Sequence, residues 1–281
     1  MENKTLPRFP LFVPTKGRYE TLHTIKALEA IGCPYSAVIE KQEYEQYSRV
    51  IDKKKIIVLP HQNEGLTVTR NWIWDYAQNE LKTEYFWTMD DNIRSFRRLH
   101  KNTHYIMRSP VFLRCIEDFT MRYSNVYISG MAYQMFIPRR LKCNPFSLNT
   151  RIYSNMLIKT DIPYRNQLFY NDDTDLCLRI LKDGFCTVQF NAFLVEKIAT
   201  MKVKGGMTDY YKQTEKRKQF AEELAKAHPD VVTVVKKFNR WHHEVNYQPF
   251  KKNRPILKSD VILDDSVNNY GMNLLFNDEK I

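Results

Sequence analysis

A chain of 281 residues that is 43% hydrophobic and 13% aromatic can bury a substantial core, which excludes an intrinsically disordered protein. Its 43 Lys and Arg against 32 Asp and Glu give a net charge of +11, which favours polyanionic partners such as nucleic acid, anionic lipid or nucleotide phosphates. The odd set Cys33, Cys115, Cys143, Cys177 and Cys186 has no Cys-x-x-Cys or zinc spacing, no apolar run approaches the roughly 18–20 residues of a membrane span, and Met1 leads into no signal-peptide pattern, so the expected setting is a reducing cytoplasm without membrane contact.

The first ninety residues alternate strand and helix signals. Phe9 to Val13 reads as a buried strand, Thr21 to Ile31 as a helix with Leu22, Ile25, Leu28 and Ile31 on one face, and Gly32 as its stop. Tyr35 to Ile39 is the next strand, followed by a polar helix around Glu43 to Arg49, a strand Ile56 to Leu59, a helix Thr67 to Asn79 and a strand ending at Met89. This βαβαβαβ pattern predicts a mostly parallel sheet with right-handed crossovers, the architecture of a nucleotide-binding half. Beyond it, Val126 to Phe136 and Arg151 to Lys159 read as strands, Asp172 to Asp183 as a helix stopped by Gly184, and Phe185 to Phe190 as a strand. Antiparallel additions to the sheet fit this part.

Residues 93–115 hold six Lys or Arg and no acid, interleaved with Phe96, Tyr105 and Phe112, a composition for an acceptor groove or for a solvated loop. Residues 202–258 carry fourteen Lys or Arg against six acids, whereas 259–281 carry five acids against one Lys. Helices are expected over Tyr210 to Ala227 and Val231 to His243. No linker, repeat or low-complexity tract interrupts the chain, so the expected organisation is a catalytic domain over 1–206, with halves 1–92 and 93–206, and a basic helical extension with an acidic tail over 207–281.

The run Glu84-Tyr85-Phe86-Trp87-Thr88-Met89-Asp90-Asp91-Asn92 ends a buried strand in two acids and an amide. Open α/β sheets place ligands at the carboxyl ends of their strands, and oxygen donors there suit a hard divalent cation holding phosphates, although Asp and Asn also start ordinary turns. The turn Pro14-Thr15-Lys16-Gly17-Arg18 offers backbone N–H groups and two cations before a helix, without the Walker A or G-x-G-x-x-G pattern of kinases and dehydrogenases. Arg70 and Asn71 sit early in a helix, where the dipole prefers anions, so a phosphate or carboxylate partner would explain the Arg. Tyr170-Asn171-Asp172-Asp173-Thr174-Asp175 opens another helix with more carboxylates than capping requires, and a general base could come from the surplus. Lys204-Gly205-Gly206 combines a cation with close backbone approach.

Taken in order, these motifs resemble the TET-associated glycosyltransferases, GT-A type enzymes of phages and some eukaryotes that attach sugars to oxidised pyrimidines in DNA. The resemblance rests on Pro14 to Arg18, Thr21, Arg70-Asn71, Trp87 to Asn92, Asp172 to Asp175 with Gly184, and Lys204 to Gly206, over about residues 9–206. It implies a GT-A-like Rossmann-type mixed sheet, a UDP-sugar donor and a divalent cation, Mn²⁺ or Mg²⁺, held by Asp90, Asp91 and Asn92 as an Asp-x-Asp-like element. The donor would meet Pro14, Lys16, Arg18, Arg70, Asn71, Asp90, Lys204, Gly205 and Gly206. Asp172 or Asp173 would act as base on the hydroxyl of a 5-hydroxymethylpyrimidine in double-stranded DNA, with Arg97, Arg98, Lys236, Lys237 and Arg240 on the phosphates; a phage-encoded enzyme would work in the host cytoplasm. Two other readings stand beside this one: transfer to polysaccharide, lipid-linked sugar or protein, and a non-catalytic nucleic-acid-binding protein in which the acids only form turns. The sequence leaves the sugar, the anomeric outcome and the oligomeric state open.

Overall fold

Strand β1 (Leu11–Pro14) is buried along its whole length, and the chain returns to the same sheet after each crossover helix. Short uncharged apolar runs dictate strands, covered on both faces in the middle of the sheet and partly open at its β3 edge. They appear as β2 (Ser36–Ile39), β3 (Ile56–Val58) and β4 (Tyr85–Met89), separated by α1 (His23–Ala30), α2 (Tyr44–Tyr47) and α3 (Leu66–Asp75). β3, β2, β1 and β4 pair in parallel, as the alternating pattern predicts. The computed structural model describes residues 5–140, 143–198 and 214–261. Lys204, Gly205 and Gly206, the first residues of the helix expected from Tyr210, and most of the acidic tail lie outside the described residues.

The sheet continues through β5 (Ile93–His100), β6 (Thr103–Ile106), β7 (Val126–Tyr133), β8 (Phe146–Leu148), β9 (Asn155–Lys159) and β10 (Cys186–Lys197), with α4 (Val111–Met121) and α5 (Asp172–Lys182) as covering helices. Its order is β3-β2-β1-β4-β9-β7-β10-β5-β6, with β8 beside β10. β9 runs antiparallel to both β4 and β7, and β5 antiparallel to β10 and β6, whereas β7 and β10 are parallel. This is a mixed α/β sheet of the GT-A-like kind. The register that opposes Met89 to Asn155 brings the start of β9 against the carboxyl end of β4, where the acids lie. Gly130 in β7 is required by close approach, because a Cβ there would sit 2.2 Å from the Asn155 carbonyl oxygen.

Alternation along each strand divides the core into two layers. Trp87 packs with Leu28 of α1 and Ile116 of α4 on one face, and Phe86 packs with Trp74 of α3 and Ile180 of α5 on the other. Phe96 and Phe112 belong to the first layer and are 1% exposed. They therefore do not line a groove, contrary to the reading of 93–115 as a basic, aromatic surface; of that trio only Tyr105 is open, at 54%.

The carboxyl-terminal segment contains α6 (Thr214–Ala227) and, where Val231 to His243 was expected to be helical, a β-hairpin of β11 (Val232–Lys237) and β12 (Arg240–Val245). The Val-Val-Thr-Val-Val run at 231–235 has β-branched side chains that favour a pleated surface, and Phe238 and Asn239 at φ 51° and 56° supply the left-handed pair of a two-residue hairpin turn. Leu224, Val231, Val232 and Phe250 close over Leu178 and Leu181 of α5, and the buried His228 Nε2 lies 3.0 Å from Asp175 Oδ1. The extension is thus fixed to the helix that opens with Asp172. Among the described residues no helix is long and apolar enough to cross a membrane.

Candidate active site

The carboxyl ends of β1, β2 and β4 and the amino ends of α3 and α5 converge on a cleft of about 530 Å³. That size falls within the approximately 300–1,000 Å³ of small-molecule sites, and the position obeys the rule that open α/β sheets bind ligands beyond their strand ends. Thr24 of α1 fixes the acidic turn: its Oγ1 donates to the Asp90 carbonyl at 2.5 Å and accepts from Ile93 N at 2.9 Å. Thr15 Oγ1 donates to Asp91 Oδ2 at 2.9 Å and pairs with the buried Tyr47 hydroxyl at 2.8 Å, which itself accepts from Arg18 N at 3.1 Å. The β1–α1 turn and the β4 end are therefore a single braced unit.

Arg70 joins the two acidic motifs. It is 5% exposed, and its Nη1 donates to Asp172 Oδ2 at 2.6 Å while Nη2 donates to Asp90 Oδ1 at 2.8 Å. A carboxylate partner thus accounts for a cation placed early in a helix. Burial works against the charged form of Asp90, but Lys197 and Arg70 outweigh it and hold its carboxyl well below the usual range. Burial raises Asp172, with Arg70 opposing and Asp173 assisting the shift. Asp91 is pushed up to about 6 by burial, even though Arg18 pairs with it and Thr15 donates to it. The same fold that gathers the acids therefore supplies fixed positive charge against them.

Lys16 reaches the other end of the cleft. Its Nζ donates to both Glu40 oxygens at 2.9 and 2.8 Å and to Asn63 Oδ1 at 2.6 Å, beside the apolar floor of Val38 and Leu59. Burial disfavours ionised Glu40, yet hydrogen bonds from Lys16, Gln42 and Asn63 hold its carboxyl below the ordinary value. Asp172 and Asp173 face the cleft from the first turn of α5. Asp172 is buried in its ion pair, whereas Asp173 is partly exposed and accepts from Thr174 N at 2.6 Å through Oδ1 only. No hydrogen bond to Asp173 Oδ2 occurs among the described residues.

Among the described residues no three His, Cys, Asp or Glu side chains cluster as a metal site. The donors that remain are the oxygens of Asp90 and Asp91 and the Asn92 amide. Asn92 Oδ1 is buried and without a hydrogen-bond partner, while its Nδ2 donates to the Ile198 carbonyl at 3.2 Å. Both oxygens of Asp90 already accept from Arg70, Lys197 and Ser154, and both of Asp91 from Arg18 and Thr15, so Asn92 Oδ1 is the unsatisfied oxygen of the three residues and a hard cation would share the carboxylates with these donors.

Residues 9–206, seven-tenths of the sequence, match the family described as TET-Associated Glycosyltransferase. The chain belongs to the TET-associated glycosyltransferase family. This TET-associated glycosyltransferase is accordingly an enzyme that passes a sugar from a donor to an acceptor. No curated protein sequence matches it. The solved structure of mannose-6-phosphate isomerase from Helicobacter pylori is similar at 9% identity and a TM-score of 0.26, over 90% of this chain and 94% of that one, a likeness too slight to bear on fold or chemistry.

In the glycosyltransferase, Pro14, Lys16, Arg18, Arg70, Asp90, Asp91, Asn92, Asp172 and Asp173 all border the one cleft. Asn71 does not; its amide exchanges hydrogen bonds with Asn166, Nδ2 to the carbonyl at 2.9 Å and Oδ1 from the backbone N–H at 2.9 Å, and so anchors the loop leading to α5. Arg97 pairs with Glu196 across β5 and β10 at 2.6 Å, and Arg98 is exposed on β5. Lys236, Lys237 and Arg240 are exposed near the tip of the β11–β12 hairpin, around a Phe238 ring that is 93% exposed. Sequence reasoning missed Lys197, whose Nζ lies 2.7 Å from Asp90 Oδ2 and 3.1 Å from Tyr133 Oη. It also missed Ser154, which donates to Asp90 Oδ2 at 2.6 Å. The strand reading that stopped at Phe190 hid the first; continued alternation to Glu196 and Lys197 was the available signal.

Proposed function

We propose that this glycosyltransferase moves a sugar from a UDP-sugar to the hydroxyl of a 5-hydroxymethylpyrimidine in double-stranded DNA. The observation that carries the reading is the Arg70 bridge, which holds the acidic end of β4 and the carboxylates of α5 side by side in one cleft. Val38 and Leu59 give a nucleobase an apolar floor, and Lys16, Glu40 and Asn63 give it donors and acceptors. Arg18, Arg70 and Lys197 surround the position for a diphosphate, so charge that develops on the leaving group meets cations already in place.

The reaction needs one proton acceptor. A carboxylate oxygen of Asp173 takes the proton from the acceptor hydroxyl as that oxygen bonds to the anomeric carbon, and the bond from that carbon to the diphosphate oxygen breaks with its electron pair leaving on UDP. Asp172 is less suited to the step because both burial and Arg70 engage it. Asp90, Asp91 and Asn92 would hold Mn²⁺ or Mg²⁺, which supplies charge compensation for the departing diphosphate when bound. Arg70 and Lys197 fix the Asp90 carboxylate and Thr15 fixes that of Asp91, so a bound cation would share these oxygens with them.

The DNA acceptor is supported by the charge of residues 202–258 and by the exposed cations of the hairpin, which glycan transfer does not call for. The test is incubation with several UDP-sugars and DNA containing 5-hydroxymethylcytosine, followed by mass spectrometry of the nucleosides. A hexose-sized gain on the modified nucleoside supports the reading; unchanged nucleosides with every donor overturn it.

A further inference from the structure

A second cavity of about 270 Å³ opens beside the cleft and shares Tyr133, Asn171, Asp173 and Lys197 with it. It is smaller than the approximately 300–1,000 Å³ of sites for drug-sized ligands, which suits a single ring. Its walls are aromatic: Tyr133 and Phe136 lie parallel with centroids 5.8 Å apart, and Tyr153 meets Tyr133 edge-on at 4.3 Å. Its far edge is cationic, with the Arg151 guanidinium 4.8 Å over the Tyr153 ring and 3.2 Å from Nε2 of His243 on β12. At the lip, Met135 and Phe136 are 75% and 51% exposed on a short turn that also holds Gln134. That turn is pinned rather than loose, because His104 of β6 bonds the Ile137 carbonyl at 2.9 Å and the Gln134 amide at 3.1 Å.

We infer that this second cavity receives a pyrimidine turned out of a DNA duplex, stacked on the Tyr133–Phe136 wall with its substituent toward Asp173, while Met135 at the lip fills the gap left in the stack. The inference rests on the reading of the acceptor as a base in DNA and adds where that base sits. Three observations converge on it. Base-on-aromatic stacking is how proteins hold unpaired bases, and apolar wedges are how they unstack them. The 5-substituent of a paired pyrimidine lies in the major groove, whereas Asp173 lines the recess common to both cavities, so a base turned out into that recess brings its substituent to Asp173. The strand that supplies His243 belongs to the hairpin whose tip carries Lys236, Lys237 and Arg240, so one element faces both the cavity and the phosphates. His243 is pushed down to about 4 by burial and by Arg151, and a neutral ring can accept a hydrogen bond from the guanidinium it faces.

The experiment uses a short duplex with one 5-hydroxymethylcytosine and 2-aminopurine as its 3′ neighbour, without UDP-sugar. Wild-type protein at saturating DNA, checked by anisotropy, should raise 2-aminopurine fluorescence as the stack opens. Phe136→Ala, a change at an exposed position, should weaken the opening by about 5- to 150-fold, the worth of one base–aromatic stack. Phe136→Trp should restore it, and both variants should bind UDP like the wild type in calorimetry. No fluorescence rise with wild type, or an undiminished rise with Phe136→Ala, overturns the inference. Transfer to DNA without a rise removes the cavity's role and leaves the activity standing. A rise that depends on Phe136 without transfer supports the cavity and removes the activity.

Discussion

Arg70 and Asp172 form a buried ion pair, Nη1 to Oδ2 at 2.6 Å, that joins the start of α3 to the start of α5 at the edge of the cleft. The pair divides the work of two adjacent carboxylates. Removing the charge of Asp172 leaves Arg70 buried with Asp90 alone, and breaking a buried pair on one side costs about 3 kcal/mol, so Asp172→Asn should lower stability in denaturant unfolding. Asp173→Asn should leave stability and UDP affinity near wild type and reduce transfer by about 10²- to 10⁴-fold, the usual loss on removing a general base. Single-turnover rates at saturating donor and acceptor separate the two; near-normal transfer by Asp173→Asn would make that residue a helix cap.

Asn92 Oδ1, buried without a hydrogen-bond partner, leads to an expectation about metal. UDP should bind more tightly with Mn²⁺ or Mg²⁺ than with chelator, and Asp91→Ala or Asn92→Ala should erase most of that difference. Calorimetric titration of UDP with and without the cation measures it. Equal affinity under both conditions for the wild type would leave the diphosphate to Arg18, Arg70 and Lys197.

The hairpin makes DNA affinity depend on salt. Each phosphate neutralised releases about 0.9 counterion, so replacing Lys236, Lys237 and Arg240 by Gln should reduce the slope of log affinity against log salt by up to about 2.7. Phe238 projects between these cations at 93% exposure, and Phe238→Ala should weaken binding without changing the slope. Fluorescence anisotropy across a salt series reads both quantities.

His243 gives a pH dependence whose sign is fixed by its environment. Burial first, then Arg151 and His242, lower it from the model-peptide 6.5 to about 4, with Asp173 pulling the other way. The unfolded chain therefore binds this proton between about pH 6.5 and 4 while the folded chain does not, so this contribution makes stability rise with pH through that window. His243→Gln should flatten the rise in urea unfolding measured from pH 4 to 7. An unchanged pH slope in the variant would place the dependence elsewhere.

The strand that ends in Asp90, Asp91 and Asn92 was legible because its signal is local: an uninterrupted apolar run followed by acids. The same holds for Arg70 and for Asp172, whose positions at helix starts conflict with, or exceed, what the helix needs. Lys197 and Ser154 were not legible, since their approach to Asp90 depends on an antiparallel register between β4 and β9 and on the full length of β10, both nonlocal. Val231 to His243 was misread because charged residues interrupt the apolar pattern at near-helical spacing. The β-branched run and the Phe238-Asn239 turn were the deciding local features. Phe96 and Phe112 show the same limit: composition placed them among cations, and only the sheet shows which face each occupies.

The most direct test of sugar transfer to a DNA base follows the sugar itself. A UDP-sugar with isotopically labelled sugar carbons is incubated with the enzyme, Mn²⁺ and duplex DNA bearing 5-hydroxymethylcytosine, alongside the same duplex bearing cytosine. The account predicts label on the nucleoside from the modified duplex only, attached at the hydroxymethyl oxygen, with one UDP released per sugar transferred. Label recovered only as free sugar, or on an added glycan or protein while both duplexes stay unmodified, would contradict it.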